Sequence, residues 1–194
     1  MGAQMHLFQS LITESEKLAF DLSSIFSRSE NLNIAPKGHN ADHIYLPHLN
    51  MALVFDLDQY RPVFHKQLEG SVRDVKALRN VLDKIHFDGI LVLDTGFSSQ
   101  DLAEIMRTCM RFIMPLRRNQ DVIDYSMDLN SSFVHMGRGI RSGFLNRNGL
   151  RIYMFQDQML MAEESSTFIG MISEGKKAQK KFDSESTKFV SVRR

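Results

Sequence analysis

GILVLDTGFSS, residues 89–99, is the stretch on which the reading of this chain turns. An unbroken apolar run that starts at a glycine and ends in Asp94 has the pattern of a short central strand covered on both faces. Ser98 and Ser99 then open a helix, with Leu102, Ile105, Met106 and Cys109 on its inner face. On the upstream side Val75, Leu78, Val81, Leu82 and Ile85 recur at helical spacing behind Asp74, an expected N-cap, and that helix should end near Asp88-Gly89. Helix, strand, helix around one carboxylate is the kernel of a mixed α/β sheet.

Working outward, RFIMPL (111–116) supplies a following strand, and LNMALVFDL (49–57) with RPVFHKQL (61–68) forms a hairpin across a short polar turn. LAFDLSSIFS (18–27) reads as a buried strand with one charge, Asp21, in its middle. Leu7, Phe8, Leu11 and Ile12 fall on one face of an amphipathic opening helix over 5–17. The Pro-, Gly-, Asn- and His-rich segment before the hairpin is a loop, and His39, His43, His48 and His65 read as loop or edge residues. The order strand, hairpin, helix, strand, helix, strand implies a mixed sheet with helices packed on it. Beyond Arg118 the pattern weakens. Residues 119–151 hold Arg138, Arg141, Arg147 and Arg151 amid Gly, Asn and Ser, before a strand at RIYMF (151–155) and a helix at AEESSTFIGMISEG, which together read as an insertion or second layer.

The bulk numbers bound the possibilities. A chain of 194 residues, 43% hydrophobic and 24% charged, can bury one good core. Its single Cys109 excludes disulfides and cysteine metal sites, and reads as a core side chain in a reducing compartment. No stretch approaches the roughly 20 apolar residues of a membrane span, and MGAQMHLF lacks the features of a signal peptide; a soluble, cytoplasmic protein is expected. The formal net charge is only +1, yet the segment from Lys176 to Arg194 is basic.

An aspartate in an apolar strand is expensive unless paired, hydrogen-bonded or metal-bound. Asp21 and Asp94 are both so situated, and on neighbouring strands they would converge as oxygen ligands for a hard divalent cation. The alternative for either alone is a strand-end aspartate capping the next turn. Two other acidic motifs are weaker. ALVFDLDQY (52–60) resembles the aspartyl-phosphate phosphatase signature, but Tyr60 stands where threonine is needed. LVLDTGFSS resembles the aspartic-protease loop, but Phe97 is bulky there and a helix follows.

Four segments in order, FDLSS (20–24), KGHNADHIYLPHLNMALVFD (37–56), RPVFHKQLEGSVRD (61–74) and ILVLDTGFSS (90–99), resemble the insertion-sequence transposases of the DDE type. In EGSVRD, Gly70 and Asp74 match that family's Pro-Gly-Asn-x-x-Asp turn, with Glu69 in place of proline; Thr95 stands where arginine is common. FIMPLRRN (112–119) and RIYMFQDQMLMAEE (151–164) extend the match across most of the chain.

The resemblance implies an α/β fold, a ribonuclease H-like mixed sheet flanked by helices, with an insertion after the fourth core strand and incomplete at the C-terminus. It implies an amphipathic N-terminal helix at 1–17, a partial catalytic core at 18–119, and an insertion with a basic tail at 120–194. Asp21 and Asp94 would be the first two catalytic, metal-binding acids, holding Mg²⁺ or Mn²⁺ for cleavage and transfer of DNA at insertion-sequence terminal repeats. Arg117, Arg118, Arg138, Arg141, Arg147 and Arg151 would contact DNA phosphates, and a homo-oligomer is conceivable. The third acid, a glutamate in Tyr-x-x-Arg-x-x-x-Glu, has no counterpart; it is expected beyond Arg194, and Glu163 and Glu164 are poor substitutes. The expectation is thus a truncated transposase, inactive as this fragment, or a non-catalytic DNA-binding remnant that interferes with a full-length relative.

Overall fold

The computed structural model describes residues 3–27, 46–72, 74–118 and 120–176, in two compact units, Met1–Met114 and Pro115–Arg194. His39, His43, all but the last three residues of the loop expected over 34–48, and the basic stretch past Lys176 lie outside the described residues, as does the capping side chain expected of Asp74.

The first unit runs α1 (Ala3–Thr13), β1 (Lys17–Phe26), β2 (His48–Asp56), β3 (Arg61–Glu69), α2 (Asp74–Leu82), β4 (Ile90–Val92), a 3₁₀ turn (Thr95–Phe97), α3 (Gln100–Cys109) and β5 (Arg111–Ile113). Its strands form one mixed sheet in the order β3-β2-β1-β4-β5. β2 is antiparallel to both neighbours, whereas β4 is parallel to β1 and β5 to β4. This five-stranded mixed sheet flanked by helices is compatible with the ribonuclease H-like expectation.

Period-2 alternation assigns the two faces. Leu18 and Phe20 of β1, Ala52 and Val54 of β2, and Leu91 of β4 with the following Leu93 point to one side. There they form a single core with Ile12 from α1, Ala77, Leu78 and Val81 from α2, and Leu102 and Met106 from α3. The opposite face carries Ala19, Asp21, Ser23 and Ile25 on β1, Leu49, Met51, Leu53 and Phe55 on β2, and Ile90 and Val92 on β4, and none of these is fully buried. β4 is therefore fully covered on one face only, and β1 is a half-buried strand rather than a buried one, because all three helices share the side of Leu18 and Leu91.

Other expectations need correction. The second unit, read from the sequence as an insertion after a fourth strand, begins only after a fifth, since β5 pairs with β4 before it. α2 ends at Leu82, six residues before Asp88, although Ile85 still reaches the core. On α3 the buried stripe is Leu102, Ala103 and Met106. At about 100° per residue this stripe is turned toward Ala103, which leaves Ile105 44% exposed and Cys109, on the last turn, exposed too. His48 is no edge residue. It starts β2 opposite Phe26 and is fully buried, while His65 lies on the edge strand β3.

Two buried polar residues hold the hairpin. Asp56 is fully buried; it accepts from Ser15 Oγ at 2.6 Å and from the amides of Asp58 and Gln59 at 2.8 and 3.0 Å. Burial alone would push its carboxyl up, but the Ser15 hydroxyl, the two amides and the Arg61 charge outweigh it and hold the group below the usual carboxylate range. The phosphatase-like ALVFDLDQY thus has its first aspartate committed to a turn. At the other end Asn50, accepting from Ser24 Oγ at 2.9 Å, donates to the carbonyls of Gly70 and Val72 at 3.3 and 2.9 Å. Gly70 is required there, because a Cβ would stand 2.2 Å from the His48 carbonyl oxygen.

The second unit is a meander of β6 (Ser131–His135), β7 (Arg138–Arg147) and β8 (Leu150–Asp157), followed by α4 (Gln158–Ser173). Each hairpin turns on two consecutive left-handed residues, Met136-Gly137 (φ 48° and 75°) and Asn148-Gly149 (φ 54° and 74°), the backbone of a type I′ turn. Ile152 and Met154 point inward, where Met154 packs with Ile123, Val122, Tyr125 and Met127. Asp157 caps α4 through the Leu160 amide and pairs with Arg138 at 2.7 Å. Among the described residues no helix is long and apolar enough to cross a membrane.

Candidate active site

The site is fixed by strand register. β1 and β4 are parallel with Lys17 opposite Ile90, Leu18 opposite Leu91 and Ala19 opposite Val92. The paired residues end at Ala19 and Val92; continued by two residues on each chain, the same register would set Asp21 level with Asp94. In-register residues of parallel strands point the same way, and neighbouring strands lie about 4.8 Å apart, so a ladder continued that far would bring both carboxylates to the face opposite the core. Each is exposed. The burial cost that singled them out in the sequence therefore does not operate, and their relation rests on register instead.

The same place is where the sheet changes direction. From β1 the chain moves to β2 and β3 on one side, then returns to add β4 and β5 on the other. Ligands of open α/β sheets bind beyond the carboxyl ends of strands at such a switch point, and Asp94 follows the carboxyl end of β4 directly. β1 continues past β4 to Phe26, so Asp21 stands where β1 leaves its parallel neighbour.

Local contacts orient both groups. Asp94 accepts from the Thr95 amide and caps the 3₁₀ turn, so the capping reading is realised alongside the shared position. Ser23 Oγ donates to Asp21 Oδ2 at 3.3 Å. Beneath them Phe97, 3% exposed, packs edge-on against Phe20 with ring centroids 5.1 Å apart. Ser99 accepts from the Leu102 amide and starts α3 as the sequence suggested. This committed role of Phe97 and the turn also accounts for DTGFSS without a protease loop.

Two exposed carboxylates are oxygen donors of the kind a hard divalent cation takes, and Mg²⁺ is commonly held by one or two carboxylates together with waters and substrate phosphates. The donor set fits such an ion as a partial shell. Among the described residues no group of three or more His, Cys, Asp or Glu could hold a metal. Glu164 has both oxygens on Arg118, at 2.7 and 3.0 Å, and that hydrogen-bonded pair pushes the Arg118 guanidinium up.

The six arginines lie in the second unit. Besides the Arg118–Glu164 and Arg138–Asp157 pairs, Arg141 donates to the Leu129 carbonyl and Arg147 to those of Asp121 and Val122. Arg151 lies over the Phe144 ring at 5.1 Å, and Arg117 is exposed. Sequence reading missed the strands β6 and β7, and with β7 the Phe144 ring beneath Arg151. Asn148-Gly149 between alternating apolar residues was the available signal.

No family model matches the chain, and no curated protein matches it. Among solved structures, the piggyBac transposase synaptic complex with hairpin DNA is similar at a TM-score of 0.42 and 10% identity, over 75% of this chain and 34% of that one. The chain spans about a third of that protein's length.

Proposed function

We propose that this chain is a catalytic domain of the DDE transposase type on a ribonuclease H-like sheet, with Asp21 and Asp94 as two of its metal-binding acids. The observation that supports the reading is the β1–β4 register, paired as far as Ala19 and Val92, which if continued by two residues would set Asp21 level with Asp94 where the sheet changes direction. The four ordered segments that resemble insertion-sequence transposases agree with it, since the same two residues are the ones that resemblance names. The reaction would be cleavage and joining of DNA at insertion-sequence terminal repeats, by a protein able to self-associate.

Asp21 and Asp94 would hold Mg²⁺ or Mn²⁺, which when bound activates a water or a DNA 3′-hydroxyl and stabilises the leaving oxygen. The chain's own part is positioning. The Thr95 amide fixes one carboxylate, the Ser23 hydroxyl orients the other, and the Phe20–Phe97 contact links β1 to the 3₁₀ turn that Asp94 caps. Arg117, Arg118, Arg138, Arg141, Arg147 and Arg151 supply positive charge toward phosphates; Arg117 is the most available of them, the others being engaged within their own unit.

A second reading is favoured by one observation. Among the described residues no three His, Cys, Asp or Glu side chains gather as a metal site, which suits a non-catalytic DNA-binding protein that competes with a complete transposase. Supercoiled plasmid incubated with the chain in Mg²⁺ or Mn²⁺ separates the two. Metal-dependent nicking abolished by Asp94→Asn supports the enzyme; salt-sensitive DNA binding without nicking supports the competitor, and the absence of both sinks each.

A further inference from the structure

One face of the β6–β8 sheet carries an aromatic surface with no assigned role. Register puts Phe133, Phe144, Tyr153 and Phe155 on the same side, with Phe144 directly opposite Tyr153. The rings touch in series: Phe133 meets Phe155 at 6.2 Å, Phe155 and Tyr153 lie 10° from parallel at 6.3 Å, and Tyr153 meets Phe144 at 5.7 Å. Phe133, Phe144 and Tyr153 are nonetheless 45, 56 and 49% exposed. Cross-strand aromatic pairs do stabilise a sheet, but a run of rings half open to water is also a surface that a ligand can cover.

Charge identifies the ligand. Residues 131–157 contain Arg138, Arg141, Arg147 and Arg151 against one acid, Asp157. That acid is already taken by Arg138 and the α4 cap, and register turns Arg141 and Arg147 to the opposite face, so Arg151 is the arginine on the side of the rings that has no carboxylate partner among the described residues. Arg151 stands in the aromatic row itself, over Phe144 and 3.5 Å from the Tyr153 hydroxyl. Aromatic rings on an antiparallel sheet, with Arg151 among them and the one carboxylate of that face already paired with Arg138, match the chemistry of an unpaired nucleic-acid strand. Bases stack on the rings without regard to sequence, while Arg151 beside them meets a phosphate. A duplex hides its base faces and cannot use the rings.

We propose that this face is a stacking platform for single-stranded nucleic acid, with Tyr153 and Phe144 at its centre and Arg151 beside them. It stands on the second unit alone and holds whether or not the aspartate pair cuts DNA.

Fluorescence anisotropy with the full chain tests it, using labelled single-stranded DNA, single-stranded RNA and duplex DNA of equal length. Either single strand should bind more tightly than duplex at moderate salt, the better of the two identifying the source. Tyr153→Ala and Phe144→Ala should each weaken single-strand binding roughly 5- to 100-fold, while Tyr153→Phe should leave it nearly unchanged. With four tyrosines and no tryptophan, the chain's own tyrosine emission should be quenched on binding, and less so in Tyr153→Phe, a readout that needs no unstable variant. Duplex bound as tightly as single strands, unchanged affinity in a folded Tyr153→Ala protein, or a dimer that Tyr153→Ala dissolves would each overturn the proposal.

Discussion

Phe97 and Phe20 meet edge-on with their planes at 76°, and through this contact the residue before Asp21 is packed against a residue three places beyond Asp94. The pair links the middle of β1, next to Asp21, to the 3₁₀ turn that Asp94 caps. Phe97→Ala should cost about 3–5 kcal/mol of stability, the usual loss for a buried phenylalanine. At temperatures where the variant is still folded, it should also bind Mn²⁺ more weakly than the parent. Urea unfolding and Mn²⁺ titration check the two halves separately.

Asp56 predicts the acid behaviour of the first unit. Its folded pKa lies below the unfolded value of about 3.9, so its contribution is complete above that pH and is lost as pH falls through the folded value. Denaturation midpoints measured from pH 7 downward should drop below about pH 4, and the drop should be smaller in Asp56→Asn, which carries no charge at any pH. Asp56→Ala should cost about 3 kcal/mol at neutral pH, since it strands the Ser15 hydroxyl and two amides.

Gly70→Ala would drive a Cβ into the His48 carbonyl oxygen, and Gly143→Ala would do the same to that of Asp128, 2.3 Å away. Each should destabilise by about 2–3 kcal/mol. Gly139→Ala meets nothing within 4 Å and should stay within about 0.5 kcal/mol. Thermal melts of the three variants side by side check the geometry of both sheets.

Much of the first unit was legible because its signals are local. Val75, Leu78, Val81 and Ile85 announce a helix by spacing, Ser99 is a cap by chemistry, and the hairpin of β2 and β3 follows from two apolar runs around a polar turn. Burial was less legible. Asp21 in LAFDLSSIF looks enclosed when only apolar content is counted, but alternation sends Leu18 and Phe20 inward and Asp21 outward, and which faces are covered depends on helices distant in sequence. Cys109 was misplaced for the same reason, because the direction of a helix's buried stripe is set by what it packs on. The register of β1 with β4 joins residues 73 positions apart, Lys17 with Ile90, and no pattern within either segment encodes it. In the second unit the type I′ dipeptide Asn148-Gly149 was present but was outweighed by the arginines and small residues around it.

Mn²⁺ binding to the aspartate pair bears most directly on the proposed site. Titration of the full chain followed by electron paramagnetic resonance should reveal one bound ion. Asp21→Asn and Asp94→Asn should each weaken it by roughly tenfold or more, given that losing even an indirect partner of a metal ligand costs 10- to 100-fold. Asp88→Asn, an exposed acid away from the pair, should leave it intact. Mn²⁺ bound equally well by all three variants, or not at all by the parent chain, would contradict a metal-binding pair at Asp21 and Asp94.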